Sequence, residues 1–566
     1  MSMNSTPVSA SAGVRTGAQA LVDALLVHGA DTGFCVPGES YLAVLDALYD
    51  VQDRFKLVVC RQEGGAAYMA DAYGKLTGKP GICFVTRGPG ATNASVGIHT
   101  AFQDSVPLIL FVGQVGRDAV EREAFQEVDY RRMYGQMAKW VAQIDDASRV
   151  PEFISHAFHI ATSGRPGPVV LALPEDMLHD PCPMPQPQPY RRVAASPAAA
   201  DMAELADRLG KAQKPVMILG GRGWTEQACA DIRRFAESWQ LPVACAFRYQ
   251  DLFDNRHPQY IGDVGLGINP KLAARIKEAD LVLAVGPRLG ESTTSGYTLF
   301  DIPRPKQTLV HVHAGAEELG RVYAADLPIN AGYPEFAAMA AALPAPANLA
   351  WVGSASAGHD LYLTWNEPTQ TPGDLQMGEV MRYLRRSLPE DAIVTNGAGN
   401  YAIWLHRFYH YRQFGNQLAP TSGSMGYGVP SAVAAKITHP ERVVVSFSGD
   451  GCFMMNGQEL ATAVQYGANV VFIVVNNGMY GTIRMHQEKN YPERVVGTQL
   501  HNPDFAALAR AYGAHGETVT KTEEFIPAFE RALAAGKPAL LELQVEPEAI
   551  TPAATITQIR AQAKAK

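Results

Sequence analysis

Short apolar runs recur along most of the chain, and each is followed by a stretch whose apolar positions have helical spacing. Residues 57–60, 81–86, 105–115, 215–221, 281–286, 443–447 and 470–475 are such runs. Runs of this length, rich in Val, Ile and Leu and closed by glycine or polar turns, predict buried strands. Their alternation with helices predicts parallel sheets covered on both faces. The pattern fails twice. Pro181-Cys-Pro-Met-Pro-Gln-Pro-Gln-Pro189 favours extended backbone, and Leu343-Pro-Ala-Pro-Ala-Asn348 opens a second connector that runs to about residue 358. The expected architecture is therefore α/β, with three doubly wound parallel-sheet domains at residues 1–185, 196–342 and 373–566.

Bulk composition narrows the class. At 566 residues the chain is too long for one core. A formal charge of -8 is modest for this size and argues against nucleic acid as a partner. No run approaches the ~20 apolar residues of a membrane span. Seven cysteines are scattered without any C-x-x-C pair, so buried free thiols in a reducing, cytoplasmic setting are expected. The small polar residues 1–13 read as a frayed tail, not a signal peptide.

Candidate chemistry begins near the C-terminal end. Gly449-Asp450-Gly451 follows one apolar run and Asn476-Asn477 follows the next, so Asp450 and Asn477 stand 27 positions apart. Each sits just past the carboxyl end of a predicted parallel strand, where open α/β sheets bind ligands. Asp450 offers a carboxylate oxygen, Asn477 an amide oxygen and Met479 a main-chain carbonyl, a donor set suited to Mg2+ with phosphate and water. Gly449 and Gly451 allow close approach to phosphate, and a helix over residues 457–466 is expected to present its N-terminus to the anion. Far upstream, Arg61-Gln-Glu-Gly-Gly-Ala-Ala67 puts Glu63 in the first turn of a helix after a strand. By position alone such a glutamate complements the helix dipole.

These motifs together resemble the thiamine diphosphate-dependent decarboxylases and carboligases, and the acetolactate synthase branch most closely. The stretch from Gly449 to Thr462 is similar to that branch throughout its length. The resemblance implies a pyrimidine-binding first domain, a central domain and a diphosphate-binding third domain, with thiamine diphosphate and Mg2+ as cofactors. It implies that Glu63 is the buried glutamate that starts proton exchange on the cofactor, alongside Pro37, Gly38 and Asn93. It also implies that Met425, in Thr421-Ser-Gly-Ser-Met-Gly426, is the wedge that bends the cofactor. Because Glu63 and Asp450 fall in different domains, the resemblance implies a site shared between two chains, hence a homodimer or homotetramer.

The substrate side resembles the same branch less evenly. Gln114 matches a glutamine delivered by its strand, Phe125 and Gln126 match a channel segment, and Lys139 matches a channel lysine. Glu39 stands where acetolactate synthases usually carry a small residue, and would place a carboxyl beside the reacting carbon as a further proton handler. Asn400-Tyr401 replaces Gln-His, and His486 takes the place of a tryptophan that selects the acceptor. Arg288 and Gly220-Gly-Arg-Gly223 supply only the beginning of a flavin signature, so FAD is the weaker expectation.

The expected activity is ligation: a 2-oxo acid such as pyruvate is decarboxylated and its acyl unit passes to a second carbonyl. A non-ligating 2-oxo acid decarboxylase or aldehyde lyase is the alternative, favoured by Glu39 and Tyr401. A chain that only binds or assembles is a third reading, against which Glu63, Asp450 and Asn477 stand together. A regulatory subunit is left open.

Overall fold

The computed structural model describes residues 14–565 apart from Met184 and Gln186; the expected N-terminal tail at 1–13 and part of the first proline-rich connector lie outside the described residues. Three six-stranded sheets, every neighbouring pair parallel, form the three domains. In the first the order is Lys56–Val59, Thr32–Cys35, Gly81–Val85, Leu108–Gln114, Pro168–Pro174 and Trp140–Gln143. The chain starts mid-sheet at Thr32–Cys35, adds one neighbour, then crosses over to Gly81–Val85. The third sheet repeats this layout, with Ile393–Asn396 and Val444–Gly449 flanking its crossover. The middle sheet crosses over between Pro215–Leu219 and Leu281–Val285. Ligand sites in such sheets form outside the carboxyl ends of the strands at this switch.

The strands are apolar because helices cover both faces: all seven residues of Leu108–Gln114 and of Pro168–Pro174 are buried. The first and third domains share a core. Helix Glu63–Thr77 packs on helix Gly428–Thr438, and small residues such as Ala66, Ala67, Ala432 and Ala435 permit the close approach. Buried Glu459, on helix Glu459–Gln465, accepts from the Arg61 and Gln62 amides at 3.0 Å each, satisfying donors at the start of helix Glu63–Thr77 from across the domain boundary. Lys75, Asp71 and Asp104 form an ion-pair cluster with no side-chain exposure at the same boundary.

Two expectations need correction. The helix expected at 457–466 starts earlier: Asp450–Asn456 is helical and Glu459–Gln465 follows it. Gly457 is no helix opener; a Cβ there would lie 2.6 Å from the Phe453 ring, so the glycine serves packing. The second connector also turns helical at Ser354–Trp365, which docks on the middle sheet through His359 Nδ1 and the Tyr260 carbonyl at 2.8 Å.

Candidate active site

Asp450 sits directly after strand Val444–Gly449, at the switch point of the third sheet. Its Oδ1 accepts from the Gly451 amide and its Oδ2 from Asn502 Nδ2, both at 2.8 Å. Asn502 also donates to Asn476 Oδ1 at 2.9 Å, and Asn476 donates to Glu542 at 2.7 Å. The two adjacent asparagines thus divide their work. Asn476 ties the strand ends together, while Asn477 borders a cavity of about 260 Å³ with Asp450, Met479, Met425 and Tyr401. Burial pushes the Asp450 carboxyl above its ordinary range, and no cationic side chain pairs with it among the described residues. A buried carboxylate so placed calls for a cation. The donor set here, one carboxylate with amide and carbonyl oxygens, fits a hard oxygen-seeking metal.

The glycines flanking Asp450 have a steric reason that the motif did not reveal. A Cβ on Gly449 would lie 3.0 Å from the Tyr401 ring, and one on Gly451 only 2.5 Å from Tyr480. Tyr401 is locked in place: its hydroxyl accepts from the Gly397 amide at 3.0 Å and lies 3.5 Å from Cys452 Sγ. Met425 lies on a turn with positive φ at Gly423 and Gly426. The first domain pins this turn. Asp104 accepts from Thr421 Oγ1 at 2.5 Å and from the Ser422 amide at 3.1 Å, and Tyr68 hydrogen-bonds Ser424 at 2.5 Å. His486 is exposed on helix Gly481–Asn490, whose first residues border the cavity.

The carboxyl ends of the first sheet gather the other half of the expected site. Glu63 is half-buried, and Asn93 Nδ2 donates to its Oε2 at 2.9 Å. Gly38 passes so near Thr86 that a Cβ would meet it at 2.4 Å, and exposed Pro37 and Glu39 flank that contact. Gln114 is buried at its strand end, where Nε2 donates to the Val128 carbonyl at 2.9 Å and so holds the following loop. In that loop Phe125 is 70% exposed and Gln126 has φ of 65°, its carbonyl accepting from the Gly88 amide at 3.0 Å. Arg87 bridges Glu175 and the Phe125 carbonyl.

Glu63 does not border the Asp450 cavity, all of whose walls come from the third domain of the chain. Lys139 stands apart from both groups. It precedes edge strand Trp140–Gln143, at the opposite edge of the first sheet from the strand that leads to Glu63, whereas Gln114 ends a central strand. Its ammonium donates to the carbonyls of Ile160 and Ser163 at 2.5 and 2.7 Å, at the end of helix Val150–Thr162, and burial lowers its pKa to about 8. Asn502, Glu542 and Glu459 escaped the sequence reading because each is a single polar residue with no diagnostic spacing.

At the switch point of the middle sheet the two strand-end loops touch. A Cβ on Gly221 would lie 2.4 Å from the Gly286 carbonyl oxygen, and buried Tyr333 lies against both loops. Arg288 is held by buried Glu318 at 3.3 Å, which also pairs with Arg165 at 2.9 Å and Arg321 at 3.2 Å.

Three domain families match the chain in order: the thiamine pyrophosphate enzyme N-terminal TPP binding domain at residues 15–133, the central domain at 202–339, and the C-terminal TPP binding domain at 397–543. The Asp450 cavity lies inside the last of these and Glu63 inside the first, so the chain belongs to the thiamine pyrophosphate-dependent enzymes. Its similarity to curated proteins narrows the class. It is 33% identical to the acetolactate synthase large subunit of Parasynechococcus marenigrum, across 94% of this chain and 87% of that protein. It is 33% identical to the acetolactate synthase of Arthrospira platensis (94% of both chains), and 30% identical to the acetolactate synthase isozyme 2 large subunit of Escherichia coli (94% and 95%). Within its family the chain is an acetolactate synthase-like enzyme.

Proposed function

We propose that the enzyme is a magnesium-dependent carboligase that decarboxylates pyruvate or a related 2-oxo acid and transfers the acyl unit to a second carbonyl compound. Buried Asp450, beside Asn477 at a sheet switch point and with no cationic side chain paired to it among the described residues, carries this reading, together with relatives named acetolactate synthase. Asp450, Asn477 and the Met479 carbonyl would hold Mg2+ against the diphosphate. When bound, thiamine diphosphate supplies the electron sink for loss of carbon dioxide. Glu63 moves the proton that starts the cycle. Asn93 occupies Oε2, which leaves Oε1 as the oxygen for proton exchange. Met425, on a turn pinned by Asp104 and Tyr68, would give the cofactor an apolar support. Tyr401, His486, Phe125 and Gln126 line the approach of substrate, with Gln114 and Glu39 handling later protons.

In this reading Glu63 and Asp450 meet across two copies of the chain. Val96, Phe125, Met454 and Met455 are 40%, 70%, 51% and 46% exposed, and they lie near the two half-sites. Exposed apolar surface of this kind supports the reading of a homodimer or a larger homo-oligomer. All seven cysteines are free and buried, which supports a cytoplasmic setting. The contact between the Gly221 and Gly286 loops and the Glu318 arginine cluster do not fit a flavin, and no step is assigned to one. The exposed Glu39 carboxyl favours simple decarboxylation as the second reading. Incubation with pyruvate alone separates them: acetolactate supports carboligation and acetaldehyde supports decarboxylation. Absence of turnover contradicts pyruvate as donor.

A further inference from the structure

Residues 420–426, the turn that carries Met425, include two glycines with left-handed backbone, Gly423 at φ of 69° and Gly426 at 80°. Glycine leaves such a turn many conformations, so its shape depends on what fastens it. The Pro420 carbonyl closes the turn by accepting from the Gly423 amide at 3.0 Å. The far end is tied within the third domain: the Gly426 amide donates to Cys452 Sγ at 3.2 Å, and Asn456 Nδ2 donates to the Gly426 carbonyl at 3.1 Å. The near end is fastened from the other two domains. Asp104 and Tyr68 hold it from the first domain. Arg248 holds it from the middle domain, its Nη1 donating to the same Pro420 carbonyl that closes the turn.

Arg248 is costly to keep in this position. It lies just past strand Val243–Cys245, at the carboxyl end of the middle sheet. It is 4% exposed, its φ is 65°, and its Nε is buried without an acceptor among the described residues. Left-handed backbone is uncommon outside glycine and buried donors are almost always satisfied, so a residue that departs from both rules points to a functional constraint. Its surroundings offset part of the cost. The Phe247 ring centroid lies 4.9 Å from the guanidinium, and Asp104, Tyr401 and Cys452 are within its electrostatic reach.

The segment after Arg248 is fixed to the third domain by successive hydrogen bonds. The Gln250 amide donates to Gln417 Oε1 at 2.8 Å, and Asp251 Oδ2 accepts from the Gly415 and Gln417 amides at 3.0 and 3.2 Å. The Asn255 amide donates to the Tyr411 carbonyl at 2.9 Å. Arg248 is thus a strut on a firm base, with its tip on the turn that bears Met425.

We propose that Arg248 is a positioning residue for the cofactor: together with Asp104 it clamps residues 420–422 and so sets where the Met425 side chain stands in the Asp450 cavity. The proposal rests on the reading of Met425 as an apolar support for the cofactor. It gives the middle domain, which supplies no wall to that cavity, a part in the reaction. A misplacement of about 1 Å in a group that orients a reactant can cost a hundredfold in rate, so loosening the clamp acts on rate more than on affinity.

The test compares the full-length wild type with Arg248→Met, Arg248→Lys and Met425→Ala. Hydrogen–deuterium exchange, with and without thiamine diphosphate and Mg2+, should show the amides of 421–426 exchanging about tenfold faster in Arg248→Met, while peptides covering 250–255 and 411–417 keep wild-type exchange. Exchange of the cofactor's C2 proton, measured at saturating cofactor, should slow by roughly tenfold to a hundredfold. Arg248→Lys, which still offers a donor to the Pro420 carbonyl, should recover most of that loss. In a Met425→Ala background Arg248→Met should change the rate by less than about threefold, because the two residues act in series. A role confined to docking the middle domain would lower the unfolding midpoint and leave the saturated C2 exchange at its wild-type rate; that result overturns the proposal, as does full additivity of Arg248→Met with Met425→Ala. If Arg248→Met fails to fold, Thr421→Val opens the Asp104 half of the clamp and should slow C2 exchange by about threefold to tenfold, and a wild-type rate there overturns the proposal. A wild-type protein that does not itself speed C2 exchange would instead overturn the proposed function, with the faster amide exchange of Arg248→Met still in place, so the two failures are distinct.

Discussion

Glu488→Gln removes the charge that clamps helix Gly481–Asn490, the helix that carries His486 and borders the Asp450 cavity. The Glu488 side chain has no exposure. Arg560, on the C-terminal helix Ile556–Lys564, donates to it at 2.8 and 2.7 Å, the Glu493 amide at 3.0 Å, and Arg484 at 3.1 and 2.9 Å. With the Arg560 bonds as the largest cause, the carboxyl is lowered from 4.5 to about 2. At about 1.4 kcal/mol per pH unit, that depression stabilises the folded clamp by about 3 kcal/mol at neutral pH. The folded value lies below the unfolded one. The stabilisation is therefore complete above about 4.5 and is lost as pH falls toward 2. Glutamine keeps the shape and discards the charge, so the two helices should open about a hundredfold more often at pH 7. Hydrogen–deuterium exchange of peptides covering 481–490 and 556–564 reads this directly. The difference from wild type should be constant between about pH 7 and 5 and should narrow only below the unfolded carboxyl value. Wild-type exchange in the variant at pH 7, or a difference that already narrows above pH 5, refutes the reasoning.

Three further outcomes are expected. Glu63→Gln should keep its affinity for thiamine diphosphate but lose at least about a hundredfold in exchange of the cofactor's C2 proton, followed by proton NMR; undiminished exchange removes the role given to Glu63. Asp450→Ala should lose magnesium-dependent cofactor binding in calorimetry, and unchanged affinity contradicts its assignment as metal ligand. Asp104→Asn leaves buried Lys75 short of one of its two carboxylate partners and should cost about 3 kcal/mol, seen as a lowered unfolding midpoint. An unaltered midpoint shows that the cluster does not hold the domains together.

The fold was largely legible because its signal is local. Runs such as 108–112 and 443–445 are apolar since helices cover both faces, and short turns follow them. The strand-end positions of Asp450 and Glu63 were legible for the same reason: each follows a strand in a short, distinctive motif. What escaped depends on distant contacts. Asn502 reaches Asp450 from a loop 52 positions later, and Glu459 caps a helix nearly four hundred positions earlier. No spacing announces either. Gly457 was misread because a glycine that admits a neighbouring ring looks, in sequence, like one that opens a helix. Lys139 carried no sign of which sheet edge it would occupy; only the parallel order of all six strands places it opposite Glu63.

The central claim is that Glu63 and Asp450 are halves of one site completed between two chains. Co-expression of Glu63→Gln with Asp450→Ala chains, each inactive alone, tests it most directly. If the halves meet across a two-fold interface, each mixed dimer holds one intact site and one doubly altered site. Random pairing should then restore about a quarter of wild-type activity. If both halves serve the same chain, every site carries one lesion, and mixed dimers isolated through two different affinity tags remain inactive, which would contradict the account.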